Sequence, residues 1–289
     1  MYRGGRMVAK RGLTFDEIGY WSEVKLAIVK EYATAYSQIL TAQVKPKLRH
    51  VYVDAFAGTG THLSKTTGKM IPGSPLNALA IQPPFLEHHL IDLDGAKVEN
   101  LRAVVGDRAD VSIHEGDCNE VLLKTVFPRM RFEDYRRGLC LLDPYGLTLR
   151  WDVVERAGKM KSMEIFLNFP IMDMNRNALW SDAGGVAQED AARMTSFWGD
   201  QSWKKAAYAE QPNLFGGVDP IKYGGNDRVV EAYRERLRTV AGFKFVPEPM
   251  PMRNTKGAIV YYLFFASQND TGRRIVESIF HKYKTKGAV

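Results

Sequence analysis

The chain has little cysteine and no long apolar run. Its only cysteines, Cys118 and Cys140, lack metal-ligand spacing, so no zinc motif is expected and the reducing cytoplasm is the expected setting. Six scattered histidines form no metal cluster in the sequence. No stretch of about 18 apolar residues occurs, which argues against a membrane span. The basic start "MYRGGRMVAKRG" is not followed by an uninterrupted apolar core, so no secretory signal is expected. Internal repeats and low-complexity tracts are absent too.

What is present is an ordinary enzyme-like balance, 45% hydrophobic and 25% charged over 289 residues. That length accommodates one large α/β domain carrying an insertion, and residues 1–289 are read as a single domain. The formal net charge of +7 attracts phosphates, making nucleic acid a plausible partner, with a merely basic cytosolic protein as the alternative.

Periodicity sets out the elements. Residues 1–13 read as a loose basic arm. Thr14 and Glu17 have capping-box spacing, and Trp21, Val24, Ile28, Tyr32, Ala35 and Ile39 recur at helical intervals, predicting a helix over 14–43. Strands are predicted near 50–55, 88–94, 109–117, 138–146 and 163–170, with helices from Ser74, over 95–105, 119–127 and 149–160 between them. Residues 61–73 read as a loop insertion. Residues 171–224 break the rhythm and read as an insertion or cap; a helix over 227–242, strands near 243–249 and 258–266, and a helix over 271–284 follow. Alternating apolar strands and helices imply a mostly parallel sheet covered on both faces. The link between the last two strands is too short for a parallel crossover, so they form an antiparallel hairpin.

Ligands of such sheets bind beyond the carboxyl ends of the strands. There "DAFAGTG" places Asp54, Phe56, Gly58 and Gly60, with glycines that permit close approach to the backbone. Asp92 ends the second strand, where a carboxylate can accept ribose hydroxyls, with Asp94 as the competing ligand; Asp117 ends the third. "DPYG", residues 143–146, ends the fourth and "NFP", residues 168–170, the fifth. One carboxylate at each successive strand end, together with the hairpin, favours S-adenosylmethionine over a nicotinamide dinucleotide.

In these features the chain resembles class I S-adenosylmethionine-dependent methyltransferases, a Rossmann-like fold. More closely, "DAFAGTG", "GSPLNAL", "GDCN", "DPYG" followed by Trp151, and "NFPIMDMNRN" are similar to the three-Cys-motif partner (TcmP) proteins. The resemblance implies a seven-stranded sheet, S-adenosyl-L-methionine as cofactor, and a separate Cys-motif protein as partner. It further implies that Asp54 orients the methionyl amine, that Gly58 and Gly60 pass beside the cofactor, that Asp92 holds its ribose and that Asp117 lies near its adenine. Cys118 either flanks that adenine or is an inert buried thiol.

"DPYG" suits an amine acceptor. Asp143 and the Pro144 carbonyl can accept from an exocyclic amine while Tyr145 stacks on the base; the motif is close to Asp-Pro-Pro-Tyr of adenine-N6 and Asp-Pro-Phe-Gly of tRNA guanine-N2 methyltransferases, which leaves the base open. Asn168 and Phe169 are expected at the same mouth, and Arg176, Lys204 and Lys205, near Trp180, Trp198 and Trp203, are candidates for stacking bases and following phosphates. The leading expectation is therefore methyl transfer to a base exocyclic amine. The alternatives are a non-catalytic or partner-activated protein of this fold and a nicotinamide oxidoreductase.

Overall fold

The computed structural model describes residues 8–10, 13–181, 183–212, 218–254 and 256–286. Residues 1–7 and 11–12 of the expected basic arm, and the stretch 213–217, lie outside them; the rest of the arm is not loose, because Val8–Lys10 is a strand paired antiparallel with residues 13–15.

Seven strands build the central sheet: β1 Arg49–Asp54, β2 Glu87–Asp92, β3 Val111–Glu115, β4 Arg136–Leu142, β5 Met163–Phe169, β6 Met250–Arg253 and β7 Ile259–Ala266. Their order is β6-β7-β5-β4-β1-β2-β3. The first five run parallel, and β7 pairs antiparallel with both β5 and β6. This is an α/β fold with a mostly parallel sheet, helices on both faces and a C-terminal antiparallel hairpin. The order reverses between β1 and β4, the switch point at which open α/β sheets bind ligands.

Strands buried on both faces need apolar side chains in both directions. Val51, Val53, Cys140, Leu142, Ile165 and Leu167 face one core layer; Tyr52, Leu139, Leu141 and Phe166 face the other, under helices Tyr20–Ala42 and Asp270–Lys286. Glu31 on the first of these helices pairs with Lys282 on the last, tying chain start to chain end.

Four further expectations need correction. Residues 14–19 are not helical: Leu13–Ile18 is a strand, and the helix begins after Gly19, which offers no side-chain cap. The Thr14/Glu17 spacing is accidental there, because Asp16 to Ile18 pair in parallel with His62 to Ser64. Within the helix the buried stripe turns toward Tyr36 and Ser37, leaving Ile39 exposed. The 61–73 loop is a hairpin, Thr61–Ser64 with Met70–Pro72, so a small second sheet stands beside the glycine loop. Finally, 243–249 is irregular apart from one bridge between Phe245 and Ser267; the hairpin strand begins at Met250.

The 171–224 segment contains helices Ile171–Asn177, Gln188–Trp198 and Trp203–Ala207 and a hairpin of Tyr208–Pro212 with Val218–Lys222. It is anchored through Phe197, Trp198 and Trp203, all buried, against helix Gly225–Thr239 and the sheet.

Candidate active site

Register brings the strand ends together. Asp54 pairs with Leu141, and Leu142 pairs with Leu167, so Asp143 and Asn168 emerge side by side beyond β4 and β5, next to Asp54. Asn168 Nδ2 donates to Asp143 Oδ1 at 2.9 Å and to the Pro144 carbonyl at 3.4 Å. Sequence reasoning missed the partner of the other Asp143 oxygen: Lys25, from the first helix, pairs with Oδ2. Lys25 is buried beside the ring of Tyr261, 5.3 Å from its centroid. Burial alone would lower the ammonium's pKa, but the Asp143 carboxylate and, more weakly, Asp54 outweigh it and hold the pKa above its ordinary value.

Asp54 is wholly buried under the glycine loop. Its Oδ1 accepts from the Phe56 amide at 3.2 Å; its Oδ2 has no hydrogen-bond partner. Burial pushes its pKa up to about 7, against a partial pull downward from nearby Ser74 and the Phe56 amide, with Asp143 and Asp92 adding repulsion. The loop above needs its glycines. Gly58 and Gly60 have φ of +62° and +82°, and a Cβ on Gly60 would sit 2.9 Å from Leu101. Asp92 Oδ2 accepts the Gly58 amide at 2.8 Å and Oδ1 accepts the Asp94 amide at 2.9 Å, so this carboxylate latches the loop. Asp94 caps helix Gly95–Val105 through the amides of Ala96 and Lys97.

A cavity of about 260 Å³ opens above these groups, walled by Lys25, Phe56, Gly58, His62, Asp143 and Asn168, with Ile18, Pro144, Tyr145, Asp173 and Tyr261 among the other lining residues. Its polar lining is incompletely satisfied. His62 Nδ1, Asn168 Oδ1 and Asp173 Oδ2 are buried without hydrogen-bond partners, as is Asp54 Oδ2 beneath the loop. Orphaned buried polar atoms cost about 1–3 kcal/mol each, so those on the lining of this cavity fit a polar ligand. Burial lowers the pKa of His62, against an upward pull from Asp16. At the rim, Lys97 Nζ bonds Asp16 at 2.8 Å and lies 5.3 Å from the centroid of the exposed Tyr145 ring.

Other expected site residues lie elsewhere. Phe169 is fully buried and packs with Phe197, Tyr233 and Phe264, not at the mouth. Successive strand residues face opposite sides, so placing Asn168 in the cavity turns Phe169 into the core. Lys204 and Lys205 do not line the cavity: Lys204 reaches Gln201, and Lys205 borders a separate hollow with Trp198 and Arg228. Arg176 is exposed on Ile171–Asn177, outside the lining. Asp117 caps the helix after β3 through the Asn119 amide and also lies outside the lining. Burial, then the charge of Asp117, pushes the Cys118 thiol up to about 12, leaving it inert.

Lys25, His62, Asp173 and Tyr261 are therefore the site residues that sequence reasoning missed. One signal was available for Lys25: it lies in phase with the buried Ile28, Val29 and Tyr32 of its helix, where a lysine needs a reason.

No family model matches the chain, and no curated protein matches it. Among solved structures it is similar to a Legionella pneumophila protein (13% identity, 74% of this chain and 92% of that one, TM-score 0.39). It is also similar to a SAM-dependent methyltransferase from Leishmania major (7% identity, 83% and 72%, TM-score 0.39) and to Trm1 from Pyrococcus horikoshii, solved with S-adenosyl-L-methionine (11% identity, 95% and 64%, TM-score 0.41). Among the described residues, no helix is long and apolar enough to cross a membrane, and no group of three or more His, Cys, Asp or Glu could hold a metal.

Proposed function

We propose that this chain is an S-adenosylmethionine-dependent methyltransferase acting on an exocyclic amine of a nucleic-acid base. The observation that carries the reading is the set of orphaned buried polar atoms around a cavity at the switch point, beside Asp143 and its bond to Asn168. The residues fit the cofactor: Asp54 keeps an unpaired oxygen for a cationic amine, Gly58 and Gly60 leave room for close approach, and Asp92 retains lone pairs for ribose hydroxyls. Asp117 and Cys118 would flank the adenine from outside the cavity. When bound, S-adenosylmethionine would supply an electrophilic methyl group.

The protein's part is positioning and electrostatics. Asp143 and the Pro144 carbonyl accept N–H groups, holding the nitrogen, and Asp143 takes the proton shed by the alkylated amine. Lys25 offsets the Asp143 charge and Asn168 fixes its orientation. Tyr145, exposed at the rim, stacks on the base; Arg176, Lys204 and Lys205 contact phosphates farther out. The similarity of "DPYG" and "NFP" to the TcmP proteins adds a separate Cys-motif protein as partner.

Calorimetry with S-adenosylmethionine and transfer of labelled methyl to RNA and DNA test the reading. Asp143→Ala is expected to bind the cofactor but to lose about 100-fold or more in transfer. A variant with full activity removes Asp143 from the mechanism.

A further inference from the structure

The cavity's far wall carries hydrogen-bond acceptors that lack donors, and their pattern bears on which base enters. Asn168 spends its Nδ2 on Asp143 and Pro144; turning the amide round would set its oxygen against the Asp143 carboxylate, so Oδ1 is fixed as the free acceptor. Asp173 accepts from Asn177 Nδ2 at 2.9 Å through Oδ1, while Oδ2 is buried without a hydrogen bond. Arg193 stands 3.9 Å from that oxygen, near enough to stabilise its charge and too far to bond it. The "DPYG" turn seats the same oxygen: a Cβ on Gly146 would lie 2.9 Å from it. Lys25, the lysine that lines this cavity, is already committed to Asp143.

From this we infer that the acceptor is guanine, presented by the edge on which its 2-amine adjoins the ring N1–H. The inference rests on the proposed methyl transfer to a base amine. Among the common bases, only guanine places a ring N–H beside its exocyclic amine; in adenine and cytosine the neighbouring ring nitrogen carries a lone pair. Against Asn168 Oδ1 and Asp173 Oδ2, that lone pair meets another acceptor and both stay unsatisfied. Guanine supplies its ring N–H and one amine N–H to these two acceptors and its other amine N–H to Asp143, so the Pro144 carbonyl keeps its Asn168 donor in place of the base. The amine lone pair takes the methyl carbon, the S–C electrons remain on sulfur, and the amine proton leaves to Asp143. Asp173 and Asn168 act as specificity residues, with Gly146 keeping Asp173 in place.

The test uses the whole chain, S-adenosylmethionine with a labelled methyl group, and short single-stranded RNA and DNA oligomers identical except at one base. Guanine is expected to be labelled. Inosine, which lacks the 2-amine, is expected to take no label. 2-Aminopurine, which keeps the amine and loses the N1–H, is expected to react about 10- to 100-fold more slowly than guanine, the cost of one unsatisfied buried pair. Asp173→Asn offers an amide donor to a ring nitrogen and is expected to shrink the guanine-to-2-aminopurine ratio by about tenfold or more, a ratio that a loss of folded protein does not change. Gly146→Ala, which displaces the carboxylate, is expected to act in the same direction.

Labelling of adenine or cytosine in guanine-free oligomers at the guanine rate overturns the inference and leaves the base-amine reading standing, as does equal labelling of 2-aminopurine and guanine. Cofactor binding with no label on any oligomer, or label on an arginine-rich peptide instead, overturns both.

Discussion

Two cavities open at opposite ends of the same parallel strands, and the larger is not the candidate site. At the amino ends, about 360 Å³ is walled by Tyr32, Arg137, Ser162, Glu164 and Gly272 among others. Its buried acid, Glu164, accepts from Tyr32 at 2.5 Å and from Ser267 at 2.7 Å. At the carboxyl ends, Asp54 and Asp173 each keep a buried oxygen with no donor. Glu164 and Asn168 lie on one strand, so burial alone does not separate them; satisfaction does. A buried acid that already has its donors holds the fold together, whereas one without them is kept for something that arrives later.

Burial raises the pKa of both acids, and the carboxyl-end acid, Asp54, gives the largest expected titration effect. The pKa of Asp54 is raised from an ordinary 3.8 to about 7, so the folded state holds its proton more tightly than the unfolded chain does. The resulting stability is fully present below the unfolded pKa and is lost as pH rises through about 7, up to about 4 kcal/mol. Denaturant melts of the ligand-free protein between about pH 4 and pH 8 are expected to lose this share of their slope in Asp54→Asn. Cofactor affinity runs the other way, rising over the same window as the carboxylate ionises, and calorimetry at both extremes checks the opposed signs. Equal slopes in parent and variant would erase the distinction.

Glu164→Ala strands two donors and is expected to cost about 3 kcal/mol, a fall of several degrees in midpoint, with cofactor affinity unchanged. Lys25→Met leaves Asp143 without its cation. Because the Asp143 side chain is 24% exposed, about 2 kcal/mol is expected instead of the larger value for a fully buried pair, together with slower methyl transfer. The smallest effect belongs to Lys204→Ala combined with Lys205→Ala: unchanged cofactor affinity, and a polynucleotide affinity less than about threefold weaker with a slightly shallower salt dependence.

The sheet, its hairpin and the succession of carboxylates at strand ends were legible because short apolar strands, glycine turns and connection lengths constrain local geometry strongly. Asp54, Asp143 and Asn168 could be brought together from that pattern, since β1, β4 and β5 are neighbours in the fold. Phe169 was misplaced by reading "NFP" as a unit where the pleat separates its first two residues. Lys25, His62 and Asp173 reach the cavity from a helix, a hairpin and an insertion, and no spacing in one sequence encodes those tertiary approaches. The strand at Leu13–Ile18 pairs locally with Val8–Lys10, and its other edge pairs with the hairpin beyond β1, which no spacing in the sequence shows.

That borrowed strand has a consequence for biogenesis. Ile18 walls the cavity and Asp16 reaches Lys97 across the rim, yet in a nascent chain Asp16 has nothing to pair with until His62 has been synthesised. This strand edge thus settles only after the later hairpin exists, and trimming it to tidy the molecule would remove part of the vessel along with the apparent tail.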